Sequence, residues 1–121
     1  MPLTVLAIDD SRTMRELIAA TLASAGCDVR LARDGEDGLA ALATLAPHVI
    51  LTDLNMPRLD GFGVIAAVRR SDAHRATPIL VLTTESAPEL KARARAAGAT
   101  GWIVKPFGAE ALVAAVRRVA G

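Results

Sequence analysis

Asp9, Asp10, Asp53, Thr83 and Lys105 are the residues of this chain whose types and positions could do chemistry together. Each closes an apolar run: Asp9 and Asp10 follow TVLAI, Asp53 follows VILT, Thr83 follows ILVL, and Lys105 follows WIV. If those runs are parallel strands, their C-terminal ends share one edge and the five residues converge there. Open α/β sheets bind ligands at that edge. Three carboxylates drawn together repel unless a cation offsets them, and a hard divalent ion takes oxygen donors. A phosphoryl group suits the remainder. Asp53 could attack phosphorus, while the Lys105 ammonium and the Thr83 hydroxyl meet the charge on the transferred oxygens.

The elements that must hold these residues can be read from the apolar period, which switches repeatedly between strand-like and helix-like. Leu3 to Ile8 reads as the first strand. Ser11 can cap a helix with Met14, Leu17, Ile18, Leu22 and Ala25 on one face, ended by Gly26. Asp28 to Ala32 makes a second strand, and Asp34-Gly35 turns into a helix with Leu39, Leu42 and Ala43 inward, stopped near Pro47. Val49 to Thr52 is apolar enough for a central strand buried on both faces. After the loop LNMPRLDG, Asp60 caps a helix burying Phe62, Ile65 and Val68. Ile79 to Leu82 is the fourth strand. Ser86-Ala87-Pro88-Glu89 has the form of a capping box for an Ala-rich helix that Gly98 ends. Gly101 to Val104 is the fifth strand, and a last helix presents Leu112, Val113, Val116 and Val119. Five βα units fill residues 1–121 as one domain, with no linker or low-complexity tract.

Four segments in this order, IDDSRTMR, VILTDLNMPRLDG, the Thr83 strand end and GWIVKPF, resemble the receiver domains of two-component response regulators, the CheY-like single-domain group in particular. The resemblance covers essentially the whole chain. It implies a flavodoxin-like, doubly wound parallel sheet of five strands in the order 2-1-3-4-5 with five helices. That order comes from the resemblance and not from the periodicity. It further implies that Asp53 accepts a phosphoryl group from a histidine kinase, helped by Lys105 and Thr83. Asp10, Asp53 and the backbone carbonyl of Asn55 would bind Mg2+, with Asp9 close by, directly or through water. Thr83 and Trp102 would form the switch, at a position usually Tyr or Phe, and an indole there wants a partner for its N–H. Asn55 and Glu85 stand where they influence attacking water. Thr84 replaces the usual small residue and narrows the approach to Asp53. The Lys105-Pro106 peptide is expected to be cis, as in receivers.

Composition excludes other classes. Fourteen basic and thirteen acidic residues give a net charge of +1, too balanced to argue for nucleic acid or membrane surface. The lone Cys27 excludes an internal disulfide and fits a reducing compartment. The N-terminus has no basic n-region, and no apolar stretch approaches the roughly 20 residues that span a bilayer, so a cytoplasmic protein is expected; a monomer is expected as well. A Mg-dependent, aspartate-nucleophile phosphohydrolase of the haloacid-dehalogenase type would need its two aspartates two apart on one strand. Flavodoxin would need a hydroxyl-rich phosphate loop and aromatics, and aromatics are 2% here. The expected role is therefore signalling without enzymatic turnover of a substrate. Its output is chemotaxis with the flagellar motor switch as partner, or else a phosphorelay or phosphate sink. No DNA-binding segment follows Gly121, so direct transcriptional output is not expected. His48 and His74 lack companion ligands and read as structural. Lys91, Arg93, Arg95, Arg117 and Arg118 read as solvated helix faces able to meet an acidic partner near Trp102.

Overall fold

A computed structural model describes residues 2–121. Strands and helices alternate along the chain: β1 Thr4–Ile8, α1 Arg12–Ser24, β2 Asp28–Ala32, α2 Gly35–Ala41, β3 Val49–Thr52, α3 Gly61–Arg70, β4 Ile79–Thr83, α4 Pro88–Ala97, β5 Gly101–Val104 and α5 Ala109–Ala120. All strand pairs are parallel, and the order is β2-β1-β3-β4-β5. This is the flavodoxin-like, doubly wound arrangement the resemblance implies. The strand interiors explain why both faces are covered. Successive residues of a strand point to opposite faces. Leu6, Ile8, Ile50, Ile79 and Val81 pack with α2, α3 and α4, while Val5, Ala7, Val49, Leu51, Leu80 and Leu82 pack with α1 and α5.

Register places the site. Ile8 pairs with Thr52, so the residues that follow, Asp9 and Asp53, leave adjacent strands side by side. The ladder continues one step past the strands: Asp9 N–H donates to the Ala32 carbonyl at 3.1 Å and Asp53 N–H to the Ile8 carbonyl at 3.0 Å. Thr83 pairs with Val104, and Lys105 N–H donates to the Thr83 carbonyl at 2.7 Å. The backbone of all four residues is thereby held by the sheet.

Several local readings are corrected. Leu17 is 47% exposed rather than inward; Ile18 and Leu22 take the buried line of α1, and Leu17 lies one step around the helix from it. α2 ends at Ala41, well before Pro47. Its C-terminus tightens into i→i+3 bonds, Ala43 N–H to Ala40 and Thr44 N–H to Ala41, which buries Leu42 and turns Ala43 outward. The capping box before α4 does not form. Ala87 is the N-cap and no side chain caps the helix, because Ser86 stands one residue too early and Pro88 occupies the first turn. Phe62 is half-buried, with the Arg93 guanidinium 3.9 Å from its ring centroid. His74 is buried, its Nε2 2.9 Å from the Leu42 carbonyl, a structural role.

Candidate functional site

The sheet edge gathers the acidic residues. Asp9, Asp10 and Asp53 each offer a carboxylate oxygen, and these oxygens all lie within 4.8 Å of one another. Asp9 is buried, Asp53 half-buried and Asp10 exposed. Neither Asp9 nor Asp10 caps α1. Ser11 does so, its Oγ accepting from Met14 N–H at 3.2 Å. Asp9 is instead held from both sides: its Oδ1 accepts from Ser11 N–H at 2.9 Å, and Arg15 donates to its main-chain carbonyl at 2.8 Å.

Lys105 reaches in from β5. Its Nζ lies 2.6 Å from Asp9 Oδ2 and 3.3 Å from Asp53 Oδ2, and its side chain is 9% exposed. Asp53 has its other oxygen, Oδ1, fixed by Leu54 N–H at 2.7 Å. One ammonium cannot balance three carboxylates, and hard oxygen donors at this spacing suit a divalent ion such as Mg2+. The donor set therefore fits the metal.

The segment after Asp53 is kept close by Gly61, the first residue of α3. Gly61 N–H donates to the Leu54 carbonyl at 2.9 Å, and a Cβ at Gly61 would stand 2.3 Å from the Asp53 carbonyl oxygen. Only glycine lets the helix start this near the acidic strand end. Asn55 is exposed in the loop between them, and Leu54 is buried beneath it. The Lys105–Pro106 peptide bond is cis.

On the other side of Lys105, Thr83 is fully buried and Thr84 exposed. Thr83 Oγ1 accepts from Glu85 N–H at 3.3 Å, which leaves its own hydroxyl proton free to donate elsewhere. The half-buried Trp102 donates from Nε1 to the Glu85 carbonyl at 3.0 Å. The main chain of Glu85 thus joins Thr83 to Trp102. Sequence reasoning noted Glu85 for its side chain, and no residue type could have signalled this use of its backbone.

Arg58 was also missed. It lies in the β3–α3 loop with a left-handed φ of 67° and ion-pairs with Asp34 and with Glu36, 2.7 Å away in the latter case. Asp34 Oδ1 accepts from Asp37 N–H at 2.8 Å, capping α2. That backbone bond, with Arg58 behind it, holds the Asp34 carboxyl below its usual value, and Asp34 in turn raises the Arg58 guanidinium.

The family profile of the response regulator receiver domain matches residues 5–117. The chain is 38% identical over 115 residues to protein PilG of Pseudomonas aeruginosa, covering 95% of this chain and 85% of that one. It superposes on chemotaxis protein CheY4 of Vibrio cholerae with a TM-score of 0.94 and 44% identity, covering 98% of this chain and 99% of the other. The receiver domain of a sensor histidine kinase from Pseudomonas aeruginosa, described with a magnesium ion coordinated in its active site cleft, superposes with a TM-score of 0.92 at 26% identity. That match covers 100% of this chain and 99% of the other. Against several other curated relatives the chain spans 50% of their length.

Proposed function

The chain belongs to the response regulator receiver domain family, and on that premise we propose that it is a switch phosphorylated on Asp53. The observation that carries this reading is the convergence of Asp9, Asp10, Asp53 and Lys105 at one sheet edge beside Thr83. A carboxylate oxygen of Asp53 attacks the phosphorus of a phosphohistidine. The new P–O bond forms as the P–N bond to the kinase histidine breaks and its electron pair returns to the ring. With the other ring nitrogen protonated, this leaves an acyl phosphate on Asp53 and neutral imidazole on the donor. Lys105 Nζ, already beside Asp53, meets one of the equatorial oxygens. Doing so draws it away from Asp9, to which it lies closer in this state. Asp10, Asp53 and the Asn55 carbonyl would hold Mg2+, with Asp9 adjacent; the ion supplies charge neutralisation on the transferred oxygens.

In this reading Thr83 would donate its free hydroxyl proton to the phosphoryl group. A ligand shifts an equilibrium only through contacts that differ between states, and this bond is such a contact. Moving Thr83 perturbs the Glu85 main chain and hence the indole bonded to it. Lys91, Arg95 and Trp102 line one recess between α4 and β5, a surface suited to an acidic partner segment. The similarity to chemotaxis protein CheY4 supports chemotaxis-type output, with a flagellar motor switch as the candidate partner and a histidine kinase as donor. Among the described residues no helix is long and apolar enough to cross a membrane.

The test is metal dependence. Incubation with acetyl phosphate should phosphorylate the protein with Mg2+ present and cease when excess chelator removes it; full-rate modification in chelator would contradict the reading.

A further inference from the structure

The loop that carries Asn55 is tied down at its far end and closed on itself in its middle. At its far end Gly61 packs on the Asp53 and Leu54 backbone. In its middle, Leu59 N–H donates to the Pro57 carbonyl at 2.8 Å, closing a tight turn about Arg58. Arg58 is the one residue other than glycine with a positive φ among the described residues. Glycine or asparagine adopts that conformation with less strain, so the turn itself does not call for arginine.

What arginine adds is reach. Its Nη2 bonds Asp34 and its Nε bonds Glu36 at 2.7 Å, spanning from the loop to the first turn of α2. The two arms are unequal. Arg58 and Glu36 are each 62% exposed, so that pair is screened by water and weak. Asp34 is only 6% exposed and is itself fixed by its cap bond to Asp37, so its arm is the effective one. The backbone is fitted to the same contact. A Cβ on Gly35, between Asp34 and Glu36, would stand 2.6 Å from the Leu59 carbonyl oxygen, so α2 and the loop meet where only glycine fits.

We propose that Arg58 is a positioning residue for the acidic site, its clasp on Asp34 and Glu36 holding the β3–α3 loop, and with it the Asn55 carbonyl, in the conformation that receives Mg2+. The inference rests on the proposed metal role of Asn55. It assigns to α2, which contributes no residue to the site, a part in the site's readiness.

The test uses Arg58→Asn, which keeps a residue tolerant of the turn while removing the reach. Two measurements are made on unphosphorylated protein: Mg2+ affinity by calorimetry, and amide exchange of residues 54–60. The clasp predicts about tenfold weaker Mg2+ binding, the lower end for partners that orient a metal's ligands. It also predicts faster exchange in that loop with the sheet amides unchanged. The double variant Asp34→Asn/Glu36→Gln should reproduce both effects without touching the loop, since asparagine retains an oxygen to cap α2. Wild-type Mg2+ affinity together with wild-type loop exchange in Arg58→Asn would overturn the proposal alone. Absence of Mg2+ binding in the wild type would instead overturn the reading of the site on which it rests.

Discussion

Asp9 and Asp10 are neighbours in sequence with different environments, and the difference sets different tasks. Asp9 is 1% exposed and bound by Lys105, Ser11 N–H and, through its carbonyl, Arg15. Replacing it with alanine leaves a nearly buried ammonium with only the longer contact to Asp53, and should cost about 2 kcal/mol in urea unfolding. Asp10 is exposed and makes no such bond, yet it crowds the other two carboxylates. Asp10→Ala relieves that repulsion and should raise stability by about 1 kcal/mol at low salt. The metal should respond in the opposite order: Asp10→Ala abolishes Mg2+ binding in a calorimetric titration, and Asp9→Ala weakens it less. A stability loss at Asp10 as large as at Asp9 would contradict this division. The sequence shows two aspartates at a strand end. Which of them is structural depends on the direction each leaves the strand, and that is legible only in three dimensions.

Among the elements, the β4–α4 connection and α4 are the ones that the proposed switch would move. α4 starts without a side-chain cap and buries only Ala94, while its C-terminus is held by Arg69, which donates to the Gly98 carbonyl at 3.0 and 2.8 Å. The link from Thr83 to Trp102 runs through this loop. Beryllofluoride with Mg2+ should therefore change the emission of Trp102, the chain's single tryptophan. Thr83→Ala should still accept phosphate while losing that change. Unaltered emission in the fully activated wild type would mean that the indole does not report the switch. The strands were legible because apolar runs bounded by turn residues leave little alternative: β2, β3 and β5 begin and end where the pattern puts them. Helix ends were less so. The cap of α4 and the end of α2 depend on main-chain bonds that any residue can make, and the Arg58 clasp joins segments whose proximity no local pattern encodes.

At the scale of the whole molecule, the sheet converts sequence distance into a site. β1 and β3 are interior strands buried on both faces, so Asp9 and Asp53 issue from the packed middle of the sheet. β5, at the edge, brings Lys105 to them and carries the half-buried Trp102 in the recess it forms with α4. The proposed chemistry would thus be anchored in the core and its consequence displayed at the margin. The most direct measurement of this account is intact-mass analysis after treatment with acetyl phosphate and Mg2+, made on the wild type and on Asp53→Asn. The account predicts a single added phosphoryl group on the wild type and none on the variant. An unmodified wild type, or a variant modified to the same extent, would contradict it.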